Sequence, residues 1–216
     1  MKKIRCLVTG GPTREYFDPV RYISNPSSGK TGWNIANAAQ KAGWDTALIL
    51  GPSSLPDADC SVTERVVSAQ DMLEACMRRF DECDILIMTA AVSDVRPKTR
   101  LTQKAKKDDI PLTAELERTP DILKQLSLRK SGQILVGFAA ETQNVLDYAK
   151  RKLKEKNLDC IAVNDVSAEG LGFGSNSNKL ELIMRDGKVV DFPLATKELL
   201  AKLLIDFLAS KFFERQ

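Results

Sequence analysis

Short, nearly unbroken apolar runs alternate along this chain with longer segments in which apolar residues recur at helical spacing. Residues 3–9 form the first run and end in glycines. Thr46 to Leu50, Ser61 to Val67, Ile85 to Thr89, Ile134 to Ala140 and Cys160 to Val163 follow. Runs without polar alternation mark strands covered on both faces, so these are expected as buried strands of a parallel sheet. Between them the spacing predicts helices over 30–43, Asp71–Phe80, 119–129 and 143–157. Gly43 supplies the stop of the first helix. Thr119 is expected to cap the third, with Pro120 in its first position.

The tail reads differently. Lys179 to Phe192 is hairpin-like, turning at Asp186-Gly187. Residues 195–213 predict a long amphipathic helix with Leu199, Leu200, Leu203, Leu204, Phe207 and Leu208 on one face. The whole of 1–216 therefore reads as one α/β domain, a Rossmann-like, doubly wound, mostly parallel sheet with a small β element near its end. In such sheets ligands gather beyond the carboxyl ends of the strands. That places segments 10–29, 90–109, 138–142 and 164–178 at the candidate site. One of them continues into a long irregular stretch, 94–111, which holds Lys98, Arg100, Lys104, Lys106 and Lys107. A connection of that length inside a compact domain is a functional lid or a disordered segment, and its charge run also reads as a solvated face.

Composition narrows the chemistry. There is no histidine in 216 residues, which removes Ser-His-Asp and Cys-His catalysis and His-ligated metals. The five cysteines are odd in number and form no CxxC pair, as expected of reduced core thiols in a cytosolic protein. A net charge of +3 is too mild to indicate nucleic acid, and no aromatic residue is interleaved with the lysines of 98–107 to stack on bases. No run reaches the roughly 18 apolar residues of a membrane span.

Two partial motifs compete. Gly29-Lys30-Thr31 is the tail of a Walker A loop, but Ser24 stands where the first glycine belongs. The softer reading is that Ser27, Ser28 and Gly29 open a helix whose free N–H groups bind phosphate. Val8-Thr9-Gly10-Gly11 and the Tyr148/Lys152 spacing are found in nicotinamide-dependent short-chain reductases, yet Pro12-Thr13-Arg14-Glu15 replaces the later glycine of a dinucleotide fingerprint. A non-enzymatic nucleotide-binding module is a third reading.

Seven stretches taken together resemble the phosphopantothenoylcysteine synthetase family. They are TGGPTREYFDPVRYISNPSSGKTG at 9–32, TAAVSD at 89–94, KAKK at 104–107, TPDIL at 119–123, VGFAAET at 136–142, KNLDCIAVND at 156–165 and GFGSNSN at 172–178. The resemblance implies a ligase that activates the carboxylate of 4′-phosphopantothenate with a nucleoside triphosphate. L-cysteine then displaces the nucleotide to give the amide. The sequence looks like the bacterial branch, which uses CTP with Mg²⁺, whereas the animal-type branch uses ATP; the metal's ligands stay unassigned.

By the same resemblance, Asn25 hydrogen-bonds the carbonyl region of the acyl-nucleotide and supports the cysteine-dependent second step, Arg21 holds phosphopantothenate or the intermediate, and Lys104 stabilises charge on the reacting phosphate. The nucleotide is expected at Met88, Thr89 and Ala90, at Asp94 through the ribose, and at the backbone of Pro120, Asp121, Ile122 and Leu123. It is also expected at Phe138 and, through its phosphates, at Lys152 and Lys156. Gly10, Gly11, Ser27, Ser28 and Gly29 are expected as further phosphate contacts. The family forms homodimers, which makes the hairpin 179–192 and Leu112–Glu117 candidate contacts. The chain begins just before its first strand, so the flavin-dependent half of the bifunctional members, and with it FMN, is expected to be absent.

Overall fold

A central sheet of eight strands runs in the order β12-β11-β10-β9-β6-β1-β4-β5. The computed structural model behind this description covers residues 3–110, 112–141, 145–165 and 177–214. The six strands from β10 to β5 are parallel: β1 (Arg5–Gly10), β4 (Asp45–Leu50), β5 (Val62–Arg65), β6 (Ile85–Met88), β9 (Ile134–Glu141) and β10 (Cys160–Asp165). β11 (Ser177–Met184) and β12 (Val189–Thr196) add to this sheet antiparallel, so the tail hairpin extends the core.

Neighbouring residues of each strand serve opposite faces. Cys6, Val8, Leu48, Ile85, Ile87 and Val136 pack on one side, under α1 (Lys30–Lys41) and α5 (Lys197–Phe212). Leu7, Ile49, Leu86, Leu135 and Ile161 pack on the other, with α2 (Ala69–Phe80), α3 (Ile122–Leu128) and α4 (Val145–Glu155). α2 is closed by Ser68 in a capping box with Asp71.

The direction of winding sets the site. From β1 the chain runs outward through β4 to β5, then returns by α2 to β6 on the other side of β1. The switch point therefore lies between β1 and β6, and a crevice opens beyond their carboxyl ends. Two small antiparallel ribbons stand above it: β2 (Arg14–Tyr16) with β3 (Tyr22–Ser24), and β7 (Val95–Pro97) with β8 (Leu116–Arg118).

Four local expectations are corrected. The 61–67 run is an edge strand, shortened to Val62–Arg65, with Val62 38% exposed; it pairs only with β4 and blunts its free edge with Glu64 and Arg65. The third helix begins at Ile122 under an Asp121 cap, whose carboxylate accepts from Lys124 N at 3.0 Å. Pro120 disfavours helical backbone at Thr119, which donates its hydroxyl to Ser93 O instead. The 94–111 stretch is not wholly irregular, because its first residues pair as β7 with β8. In α5, Leu199 is 46% exposed, and Leu200, Ala201, Leu204, Ile205 and Leu208 form the buried stripe.

Candidate active site

The first turn of α1 lies directly on the carboxyl end of β1. A Cβ at Gly32 would fall 2.7 Å from Thr89 Oγ1 and 2.8 Å from both Gly10 Cα and Thr9 O. Only glycine permits this approach, which brings the N-terminus of α1 to the switch point. Gly29 precedes the helix at φ 81° and gives it no side-chain cap. Gly29 N donates to Ser27 Oγ at 3.4 Å and Lys30 N to Ser28 Oγ at 3.5 Å, long bonds at a helix N-terminus, where an anion is favoured.

β6 continues past Met88 into a segment stitched to the one following β1. Thr89 Oγ1 donates to Thr9 O at 2.7 Å, Ala91 N to Gly11 O at 2.9 Å, and Ser93 N to Thr13 Oγ1 at 3.0 Å. Between these paired segments, α1 and the start of α3 lies a cleft of ≈ 460 Å³. The predicted residues Gly11, Ser27, Ser28, Gly29, Met88, Thr89, Ala90 and Asp94 line it from the β1–β6 side. Pro120, Asp121, Ile122, Leu123, Phe138, Lys152 and Lys156 complete the walls. Gly10 sits just behind, against Gly32.

Besides Gly10, three predicted residues stand outside the cleft. Asn25 backs its wall: Nδ2 donates to Ala91 O at 3.2 Å and Val92 O at 3.1 Å, and both of those residues face the cleft. Arg21 pairs with the buried Asp18 carboxylate and reaches Ala105 O at 3.5 Å. Lys104 is exposed on the neighbouring segment, which is docked on the β2–β3 ribbon. That docking uses Leu101 N to Phe17 O at 2.9 Å, Ala105 N to Asp18 Oδ2 at 3.3 Å, and Arg100 over the Tyr16 ring at 5.2 Å. Burial pushes the Asp18 carboxyl up, but N–H donors from Val20, Arg21 and Ala105 and the Arg21 guanidinium outweigh it and hold Asp18 below its ordinary range.

On the α4 side, Lys156 Nζ is held by Asp121 at 2.9 Å, and Lys152 Nζ lies 4.3 Å from the Tyr148 ring centroid. The Tyr148/Lys152 spacing thus resolves as a cation–π contact. Three cleft-lining cations are not among the predicted site residues: Lys30, set aside with the Walker A fragment, Arg118, at the end of β8, and Lys197, at the start of α5. Nothing local marks the last two, since each reaches the cleft through tertiary packing. Among the described residues no three His, Cys, Asp or Glu side chains cluster to hold a metal. The predicted segments 142–144 and 166–176 lie outside the described residues.

A doubly wound α/β domain with a polar, lysine-bearing cleft at its switch point is the class defined by this fold and site. More narrowly, the chain belongs to the family described as the DNA/pantothenate metabolism flavoprotein C-terminal domain, which it matches over residues 1–212. It is 49% identical over 193 residues to the coenzyme A biosynthesis bifunctional protein CoaBC of Bacillus subtilis (strain 168), covering 88% of this chain and 47% of that protein. The CoaBC of Escherichia coli (strain K12) is 42% identical over 219 residues, covering 100% and 54%. The chain thus spans about half the length of these relatives. The crystal structure of the C-terminal domain of a CoaBC superposes with a TM-score of 0.82 at 42% identity, over 97% of this chain and 98% of that one.

Proposed function

We propose that this chain is a phosphopantothenate–cysteine ligase: it joins 4′-phosphopantothenate to L-cysteine through an acyl-cytidylate, releasing pyrophosphate and then CMP. The observation that carries the reading is the cleft itself. The start of α1 faces it from one wall, and the Pro120–Leu123 segment faces it from another. An anionic tail is served by the first, and the edge of a base by backbone groups of the second. The relatives' role in coenzyme A biosynthesis and the seven matching stretches support the same assignment.

The chemistry suits a site without histidine. A carboxylate becomes an acylating group once a phosphoryl oxygen is its leaving group, so catalysis consists largely of positioning and charge stabilisation. Lys104 supplies a cation to the reacting phosphate when its segment leaves the β2–β3 ribbon and closes over the cleft. Arg21 binds a substrate phosphate or the intermediate, and Asn25 holds the Ala91–Val92 wall against which the cysteine amine attacks. Mg²⁺ would come with the triphosphate and neutralise part of its charge, and Asp94, exposed on the cleft wall, would accept from the ribose hydroxyls. The reaction calls for no flavin.

A homodimer completes the proposal. Leu112 (99% exposed) and Leu116 (49%) near β8, with Val189 (41%) and Leu194 (63%) on edge strand β12, offer apolar surface for a second copy. Among the described residues no helix is long and apolar enough to cross a membrane.

The test is pyrophosphate release with 4′-phosphopantothenate and Mg²⁺, comparing CTP with ATP, with and without L-cysteine. Release that requires phosphopantothenate, with CMP as co-product, is the expected result. Release with ATP alone would move the chain to the other nucleotide branch, and no release with either would overturn the ligase reading.

A further inference from the structure

Two helices of this domain begin with lysine, and both lysines line the same cleft. Lys30 opens α1 and Lys197 opens α5. A cation at the first residue of a helix stands against the macrodipole. Lys197 is also half-buried, and burial first, then the like charge of Lys30, pushes its ammonium below its ordinary pKa. Glu198 next to it is exposed, and among the described residues no carboxylate pairs with Lys197. Desolvation, dipole and repulsion thus all oppose this cation in the folded chain, and among the described residues no carboxylate offsets them. A position that breaks several local rules at once is where a functional constraint is expected.

The surroundings point to a ligand as well. A small crevice of ≈ 50 Å³ adjoins the cleft, sharing Thr31, Phe138 and Lys197 with it. Asn178 also lines this crevice; it is 5% exposed, and its Oδ1 has no hydrogen-bond partner. A buried orphan acceptor calls for a donor, which a phosphate oxygen does not supply itself but a water bridging to that phosphate does.

We propose that Lys197 is a phosphoryl-binding residue of the cleft, meeting a phosphate oxygen from the α1–α5 layer while Lys152 and Lys156 approach from the α4 layer. The identity of the phosphate rests on the ligase reading above, being either the nucleotide's tail or the phosphate of 4′-phosphopantothenate. The existence of the anion site does not rest on that reading.

The test is calorimetric binding of CTP with Mg²⁺, of 4′-phosphopantothenate and of inorganic pyrophosphate to the full chain. It compares the wild type with Lys197→Gln, Lys197→Arg and Lys202→Gln, the last an exposed lysine ion-paired with Asp206 on the same helix. Loss of a charge-assisted hydrogen bond should weaken at least one ligand by ~10- to 100-fold in Lys197→Gln. Lys197→Arg should retain most of the affinity and Lys202→Gln all of it. Because the free fold bears the cost of this cation, Lys197→Gln should melt no lower than the wild type.

A loss confined to CTP and pyrophosphate assigns the nucleotide tail to Lys197, and a loss confined to 4′-phosphopantothenate assigns that substrate's phosphate. Unchanged affinities overturn the proposal, as does a wild type that binds none of the three. A loss that tracks a lowered melting temperature also overturns it, because the role is then structural. Lys197-dependent binding of pyrophosphate without any binding of CTP or 4′-phosphopantothenate would overturn the ligase reading and leave the anion site standing.

Discussion

Asn25 holds Val92 by its carbonyl across 67 residues of sequence: Nδ2 donates to Val92 O at 3.1 Å and to Ala91 O at 3.2 Å. One side chain thereby fixes the β3–α1 connection to the wall that follows β6. The amide is needed here as a donor, because both partners are acceptors.

Asn25→Asp puts a carboxylate against those two carbonyls. The variant should lose about 1–3 kcal/mol of stability, the cost of leaving two partly buried acceptors unsatisfied. Amide formation should fall by roughly 10²-fold through displacement of the wall, while pyrophosphate release persists. Single-turnover product analysis separates the two steps. Equal loss of both would show that Asn25 does not act selectively on the second.

Lys104→Gln addresses the first step. Lys104 is exposed and outside the cleft, so the substitution should leave the melting temperature within about 1 °C, as for most surface changes. Pyrophosphate release should drop by on the order of 10²-fold or more, in the range seen when a charge-stabilising group is removed. Normal release by the variant would exclude Lys104 from activation.

Asp18 is the anchor of the Lys104 segment, accepting from Ala105 N and pairing with Arg21. Asp18→Asn should speed hydrogen exchange at Leu101 and Ala105 by roughly tenfold, with β1 and β6 unaffected. Because the folded carboxyl titrates below its ordinary 3.8, its contribution is present above that value and is lost as pH falls through the lower folded one. Exchange protection of the segment attributable to Asp18 should therefore be flat from about pH 5 to 9. A transition near neutrality would point to a different anchor.

Gly32→Ala should cost about 1–3 kcal/mol in denaturant unfolding, since its Cβ meets backbone atoms of Gly10 and Thr9 at 2.8 Å. Gly132→Ala, where the added methyl meets nothing within 4 Å, is the matched control and should be neutral or slightly stabilising. Similar midpoints for the two variants would contradict the close approach of α1 to β1.

Thiol titration of the native chain should give one fast-reacting cysteine of five, rising to five on unfolding. Burial pushes Cys76 and Cys83 up to about 12, and Cys6 and Cys160 are also raised by burial, which leaves the partly exposed Cys60. A second fast thiol would mean that part of the core opens readily.

The apolar runs and helical spacings were enough to place nearly every strand and helix, because the periods of 2 and 3.6 are local properties of the backbone. They also determined that the parallel sheet is covered on both faces and that the site lies beyond its carboxyl ends. Residue patterns in 9–32, 89–94 and 119–123 marked most of the cleft wall, since these segments approach the site with contiguous residues. Packing decided the rest. Thr119 and Asp121 are both good caps by type, and only the path of the chain out of β8 chose Asp121. Asn25 as a brace, the Lys104 segment docked on the β2–β3 ribbon and Lys197 at the cleft join positions up to 186 residues apart along the chain, from Gly11 to Lys197. No local spacing encodes such meetings; Lys197 reaches the cleft because α1 and α5 share one face of the sheet.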